Sequence, residues 1–127
     1  ETGRLFYSNA GHNPPLLLRS SEPGHVQTLR NTGPPLGVIE DASWPAQSVQ
    51  LAPGDVLVLY TDGVTDAQSA EDQFYDPDRL TAVIQDTWRV GRPAAAAIRD
   101  AILDSVHRFT RGAAQMDDMA LMVVLRE

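Results

Sequence analysis

The chain has 127 residues, of which 43% are hydrophobic, so it is long enough for one domain with a modest core. Its formal net charge of −7 disfavours binding to a nucleic-acid backbone, and the absence of cysteine excludes disulfides, thiolate zinc sites and a cysteine nucleophile. No apolar run approaches the roughly 18 residues of a membrane span, and no signal peptide opens the sequence. We therefore expect a cytoplasmic protein that binds neither nucleic acid nor membrane.

The first half of the sequence predicts an antiparallel meander of short strands. Residues 4–8 alternate in character and are expected to form a wide hairpin with the apolar run 16–18 across the turn-rich segment 9–15. Further alternating strands are predicted at residues 25–29 and 47–51, each bounded by glycine and proline turns.

Asp55 follows the turn pair Pro53-Gly54 and leads into a continuous apolar run at residues 56–60, which is rich in β-branched side chains. This composition is typical of a strand that is covered on both faces. The run leads directly to Asp62 and Gly63, where the buried sheet meets a loop. A carboxylate in that place is costly unless a partner such as a cation neutralises it.

The second half predicts two helices and a last strand. Residues 76–78 combine acidic side chains with a proline, as a first helical turn does, and apolar residues continue at helical spacing to Trp88. The segment 91–93 breaks this helix and opens a second one, whose apolar stripe ends at Phe109. A second buried strand is expected at residues 119–125. The predicted fold class is thus α+β, with an antiparallel meander covered by two helices.

The two most apolar strands carry aspartates at opposite ends, namely Asp62 after the first and Asp117-Asp118 before the second. If the strands pair antiparallel, about 4.8 Å apart, these carboxylates meet and repel one another unless they share a cation. Oxygen ligands without histidine or cysteine suit Mg²⁺ or Mn²⁺. The alternative is that Asp62 only caps a turn and Asp117-Asp118 only end a loop, since aspartate is favoured in both places.

Five motifs, in this order, resemble the bacterial SpoIIE/RsbU branch of the PPM-type protein serine/threonine phosphatases. They are residues 7–15, Pro35-Leu36-Gly37, residues 51–55, residues 59–67 around Tyr60-Thr61-Asp62-Gly63, and residues 117–121. The resemblance implies an α/β/β/α sandwich that hydrolyses phosphoserine or phosphothreonine on a regulatory protein, commonly an anti-anti-sigma factor. It also implies a pair of Mn²⁺ or Mg²⁺ ions with a bridging water.

By this resemblance Asp62 and Asp117 are metal ligands and Asp118 supports the loop, while no side chain of the chain is assigned as catalytic or as binding another cofactor. Domains of the family begin further upstream, with a segment that holds the other acidic ligands. We therefore expect residues 1–127 to be the C-terminal part of a phosphatase domain, and this part alone to be inactive. The alternative functions are a catalytically incomplete module that binds a partner or senses a signal, and a purely structural sandwich.

His12 is a candidate general acid because it lies in a turn-rich motif near Asn9 and Asn13 and because imidazole titrates near neutral pH. The glycine and prolines around it favour a structural role instead, since tight turns need such residues. A chain that lacks part of both sheets would also expose apolar faces and strand edges, which predicts a homodimer or poor solubility.

Overall fold

The computed structural model of the chain describes residues 2–91, 93–115 and 117–127. Its strands are β1 (Arg4–Tyr7), β2 (Leu16–Leu18), β3 (Val26–Thr28), β4 (Gln47–Gln50), β5 (Val56–Tyr60) and β6 (Leu121–Leu125). Its helices are α1 (Asp62–Thr65), α2 (Asp76–Arg89) and α3 (Ala95–Thr110). The two long helices agree with the predicted ones. Arg92, in the predicted break, and Met116, in the loop before Asp117, lie outside the described residues.

The strands form two antiparallel sheets. A four-stranded sheet has the order β3-β2-β5-β6, and β1 pairs with β4 in a separate two-stranded sheet. The antiparallel α+β class is confirmed, but the predicted hairpin between the first two strands is wrong. The reason is that the turn-rich segment crosses between the sheets: the N–H of Thr32 donates to the carbonyl of Asn9 at 2.9 Å, and Ala10 bridges Gly33.

Strand β5 is buried on both faces, as its apolar run predicts. Val56 and Val58 belong to the core under the helices, together with Leu80 and Ile84 of α2 and the buried residues of α3. Leu57 faces the other way, into a smaller core that includes Leu5, Tyr7 and Val49 of the two-stranded sheet. The central strand is therefore sandwiched between the helical layer and the second sheet.

The last strand forms within the predicted range, but β6 lies at the edge of the four-stranded sheet and its residues alternate between half-buried and exposed, so the expectation of a second buried strand is wrong. Met122 pairs opposite Leu59 and Val124 opposite Leu57, which places them on the face of the smaller core. That core does not extend to them, and they are 60% and 41% exposed. An apolar strand composition predicts burial only where another layer reaches the strand.

The helices pack one apolar stripe each against the four-stranded sheet. The buried positions of α2 are Leu80, Ile84 and Trp88, and those of α3 are Ile98, Ile102 and Val106. The spacing of four residues places each set on one helical face. Among the helices of the described ranges, none combines the length and the hydropathy that crossing a membrane requires.

Candidate metal site at the end of strands β5 and β6

The antiparallel pairing of β5 with β6 brings the two aspartate motifs to one end of the sheet. The last pair of the ladder is Tyr60 with Leu121. Beyond it, the N–H of Thr61 donates to the carbonyl of Ala120 at 3.0 Å. Asp62 follows directly on one side, and Asp117-Asp118 precede on the other. The meeting of these strand ends, which the sequence predicts, is confirmed.

Asp62 is exposed and begins the single-turn helix α1. Its carboxylate Oδ1 accepts the N–H of Gly63 at 3.0 Å, and its carbonyl accepts the N–H of Asp66 at 2.7 Å. Gly63 and Val64 are buried at this turn, whereas Asp62 stays at the surface. Asp62 therefore organises the turn with one carboxylate oxygen and presents its carboxyl group at the end of the sheet.

Asp117 is also exposed. Its Oδ1 accepts the N–H of Asp118 at 2.7 Å, and its carbonyl accepts the side-chain amide of Gln115 at 2.7 Å. Both aspartates thus make the local turn contacts that the simpler alternative predicts. The contacts of the two carboxylates involve Oδ1 in each case and are compatible with a ligand role, because a carboxylate has two oxygens and about four acceptor positions.

The carboxylate oxygens at this end of the sheet are ligands of the kind that a hard divalent ion prefers, but they are few. Mg²⁺ is commonly held by one or two carboxylates, with waters and substrate phosphate in the remaining positions. Across residues 2–91, 93–115 and 117–127, the structure has no group of three or more histidine, cysteine or acidic side chains placed to hold a metal. The described part of the chain therefore offers two exposed carboxylates at this end of the sheet and not a closed metal cage.

A cavity of about 510 Å³ borders this end of the sheet. Its lining includes Gly63 at the start of α1, the C-terminal turns of α3 and the loop that follows α3, to which Asp117 belongs. Asp66 also lines the cavity, while its N–H closes α1 on the carbonyl of Asp62. The sequence does not predict this cavity, since its walls come from segments far apart in the chain.

The three histidines of the chain all lie at the surface. His12 is exposed, and its Nδ1 lies 3.0 Å from the carbonyl of Asn13. The organising residue of its loop is Asn9, whose buried side chain accepts the N–H of His12 at 2.8 Å and donates to its carbonyl at 3.0 Å. His25 and His107 are exposed, and His107 lines the cavity.

Asp55 is a buried acidic residue whose role sequence reasoning missed. Its side chain is inaccessible to solvent and lies 3.0 Å from the Arg19 guanidinium. It also accepts the N–H groups of Ser20 at 2.7 Å and Ala52 at 2.9 Å. Burial alone would raise the pKa of Asp55, but these two N–H groups and Arg19 outweigh it and hold the pKa below its ordinary value. The position of an aspartate after Pro53-Gly54, at the start of a buried strand, was the available signal.

The fold matches that of about half of a PP2C-type phosphatase domain. The structure superimposes on the SiaA-PP2C domain of Pseudomonas aeruginosa with a TM-score of 0.79 and 20% sequence identity, covering 99% of this chain and 48% of that one. The family model for stage II sporulation protein E (SpoIIE) matches residues 1–127, so the chain belongs to this family. The resemblance seen in the sequence motifs is confirmed.

Two curated proteins are similar to this chain in sequence. Protein IcfG of Synechocystis is 35% identical over 124 residues, which are 98% of this chain and 19% of that protein. The phosphoserine phosphatase RsbP of Bacillus subtilis is 41% identical over 63 residues, which are 50% of this chain and 15% of that protein. The chain thus spans about a fifth or less of the curated relatives it matches.

Proposed function

We propose that the chain is the C-terminal part of a metal-dependent protein serine/threonine phosphatase domain. The observation that carries the proposal is the β5–β6 pairing, which brings Asp62 and Asp117 to one end of the sheet in a chain of the SpoIIE family. In this proposal the segment that completes the domain precedes residue 1 and supplies the remaining acidic ligands. Asp62 and Asp117 hold Mn²⁺ or Mg²⁺, two ions in the complete domain.

Electrostatics supports the metal dependence. The chain has a net charge of −7, and Asp62, Asp117 and Asp118 are all exposed around one end of the sheet. A phosphate group would be repelled from such a surface unless cations offset the carboxylates. Bound divalent ions would supply that charge and lower the pKa of a coordinated water. The role of the chain in this proposal is to hold both carboxylates in place at one end of the sheet, as preorganised ligands.

The proposed substrate is a phosphorylated regulatory protein of the anti-anti-sigma type, in signal transduction. The relative RsbP is by name a phosphoserine phosphatase, which supports phosphoserine as the substrate group. The exposed position of Asp62 and Asp117 supports a macromolecular substrate, because a phosphoserine on a protein surface can approach without entering a deep pocket.

The test is turnover of a phosphoserine protein by the full-length polypeptide that carries this chain, with Mn²⁺ present. Asp62→Asn and Asp117→Asn should each lower turnover at least about a hundredfold, because loss of a ligand is expected to cost no less than the loss of a residue that supports one. Asp104→Asn is the matched control, since Asp104 is an exposed aspartate on α3. Undiminished turnover by the Asp62→Asn protein would contradict the proposal.

A second candidate function is a phosphatase-like module that binds a partner without hydrolysis. It is favoured by the finding that the described residues provide two carboxylates and no three-ligand group. Titration of the full-length protein with Mn²⁺ separates the candidates. A competent site should bind Mn²⁺ in roughly the micromolar to millimolar range, and a degenerate one should not.

A further inference from the structure

Thr61 occupies the N-cap position of α1 with extended backbone angles. A threonine there ordinarily accepts, through its hydroxyl, an N–H of the first helical turn. In α1, which lies wholly within the described part of the chain, Thr61 makes no such side-chain bond. Its Oγ1 instead accepts the N–H of Ala120 at 2.9 Å and donates to the carbonyl of Asp118 at 3.1 Å. The hydroxyl therefore acts across the two strand ends.

The main chain explains this use of the side chain. In a regular antiparallel ladder, Thr61 and Ala120 would exchange both N–H to carbonyl bonds. The bond from the N–H of Thr61 is present, but the carbonyl of Thr61 turns away to accept the N–H of Val64 at 3.1 Å. The Thr61 hydroxyl replaces that carbonyl as the acceptor for Ala120. The ladder thus continues one residue beyond the sheet while the chain already begins a helix.

We propose that Thr61 is a positioning residue that holds the segment 117–120 against the start of α1, so that Asp117 and Asp62 face the same ion. The inference rests on the proposed metal site. The held carbonyl belongs to Asp118, whose own N–H binds the Asp117 carboxylate at 2.7 Å. The Thr61 hydroxyl is therefore linked to the Asp117 carboxylate through a single residue.

The groups that the Thr61 hydroxyl binds are exposed, and this allows a positioning role to be distinguished from a merely structural one. Asp118 and Ala120 are exposed, so water can replace the lost partner when the hydroxyl is removed. Thr61→Val keeps the shape of the side chain and should leave the thermal midpoint close to that of the wild type. It should nevertheless release the segment that carries Asp117.

The experiment measures Mn²⁺ affinity and the hydrogen exchange of the Ala120 amide in the full-length protein. Thr61→Val should accelerate exchange at Ala120 and weaken Mn²⁺ binding about tenfold, because binding of the ion must then order the released segment. Thr61→Ser should restore both values to near wild type. Thr87→Val is the control, because the Thr87 hydroxyl donates to the carbonyl of Val83 at 2.8 Å inside α2.

Each result has a definite meaning. Unchanged exchange at Ala120 in Thr61→Val would show that the hydroxyl does not hold the segment. Faster exchange with unchanged Mn²⁺ affinity, or failure of Thr61→Ser to restore affinity, would overturn the positioning role. If wild-type protein binds no Mn²⁺, the proposed metal site fails and this inference with it, and the wild-type titration identifies that case.

Discussion

Gly63 packs directly against the main chain of Asp118: a β-carbon built at position 63 would lie 2.4 Å from the Asp118 carbonyl oxygen. Real β-carbons do not approach a backbone oxygen so closely, so one of the two segments would have to move. Glycine is therefore required here by proximity, because its absence of a side chain lets the start of α1 touch the loop before β6. The same contact places the two aspartate motifs side by side.

Gly63→Ala should separate the two segments and destabilise the protein by about 1–3 kcal/mol, the usual cost of forcing an extra carbon into a packed site. Because the displaced carbonyl belongs to the aspartate next to Asp117, Mn²⁺ affinity should fall as well. Urea denaturation and Mn²⁺ titration measure the two effects. Gly24→Asn is a suitable control, since a β-carbon at Gly24 has open space and asparagine tolerates its positive φ of 84°. A Gly63→Ala protein as stable as wild type would contradict the contact.

Asp55→Asn should destabilise the fold by about 3 kcal/mol, because it leaves Arg19 without its buried counter-charge. The Asp55 side chain is fully buried and ties the end of β2 to the turn before β5. The matched control is Asp86→Asn, which breaks an exposed ion pair with Arg89 and should change stability by no more than about 0.5 kcal/mol. Urea denaturation at neutral pH provides the comparison, and equal losses in the two variants would refute the assigned role.

The ionisation of Asp55 should also make the stability of the protein depend on pH in acid. The pKa of Asp55 is lowered from its ordinary value of 3.8 in the folded chain, so its ionised form favours folding. This contribution is fully present above pH 3.8 and is lost as the pH falls below that value through the folded pKa. The stability difference between wild type and Asp55→Asn should therefore shrink in acid. A difference that stays constant well below pH 3.8 would contradict the assignment.

Asn9→Ala should cost about 1–2 kcal/mol, since the buried Asn9 amide makes two hydrogen bonds to the main chain of His12. His12→Gln should change stability by less than about 0.5 kcal/mol, because the imidazole is exposed. Under the structural interpretation, His12→Gln also retains turnover in the phosphatase assay. A loss of about a hundredfold or more in kcat would instead assign His12 to acid–base chemistry.

The 127-residue chain should self-associate through the exposed face of β6. Within the described strands β6 pairs with β5 alone, and its Met122 is 60% exposed. An exposed apolar face on an edge strand favours burial against another chain. Light scattering at several concentrations should show association that Met122→Thr with Val124→Thr reduces and Val90→Thr does not, since Val90 is 91% exposed at the end of α2, away from the sheet. A wild-type monomer at all concentrations would disprove this.

Local pattern accounts for the parts of the fold that were predicted from the sequence. The apolar run of β5 and the spaced stripes of α2 and α3 each encode, within a few consecutive residues, which face is buried. The motif around Asp62 and the one around Asp117 were found in the same way. Their meeting followed from one assumption, the antiparallel pairing of two strands.

The sequence by itself therefore determined the two long helices α2 and α3, the central strand and the pair of aspartates, but not the short helix α1. Only the tertiary structure decided which strand pairs with β1, that β6 lies at an edge, and that the Thr61 hydroxyl replaces a backbone carbonyl. These features depend on hydrogen bonds between residues far apart in the chain, as between Asn9 and Thr32 or between Thr61 and Asp118. A local pattern specifies which groups need partners, and the fold as a whole decides which partners come within reach.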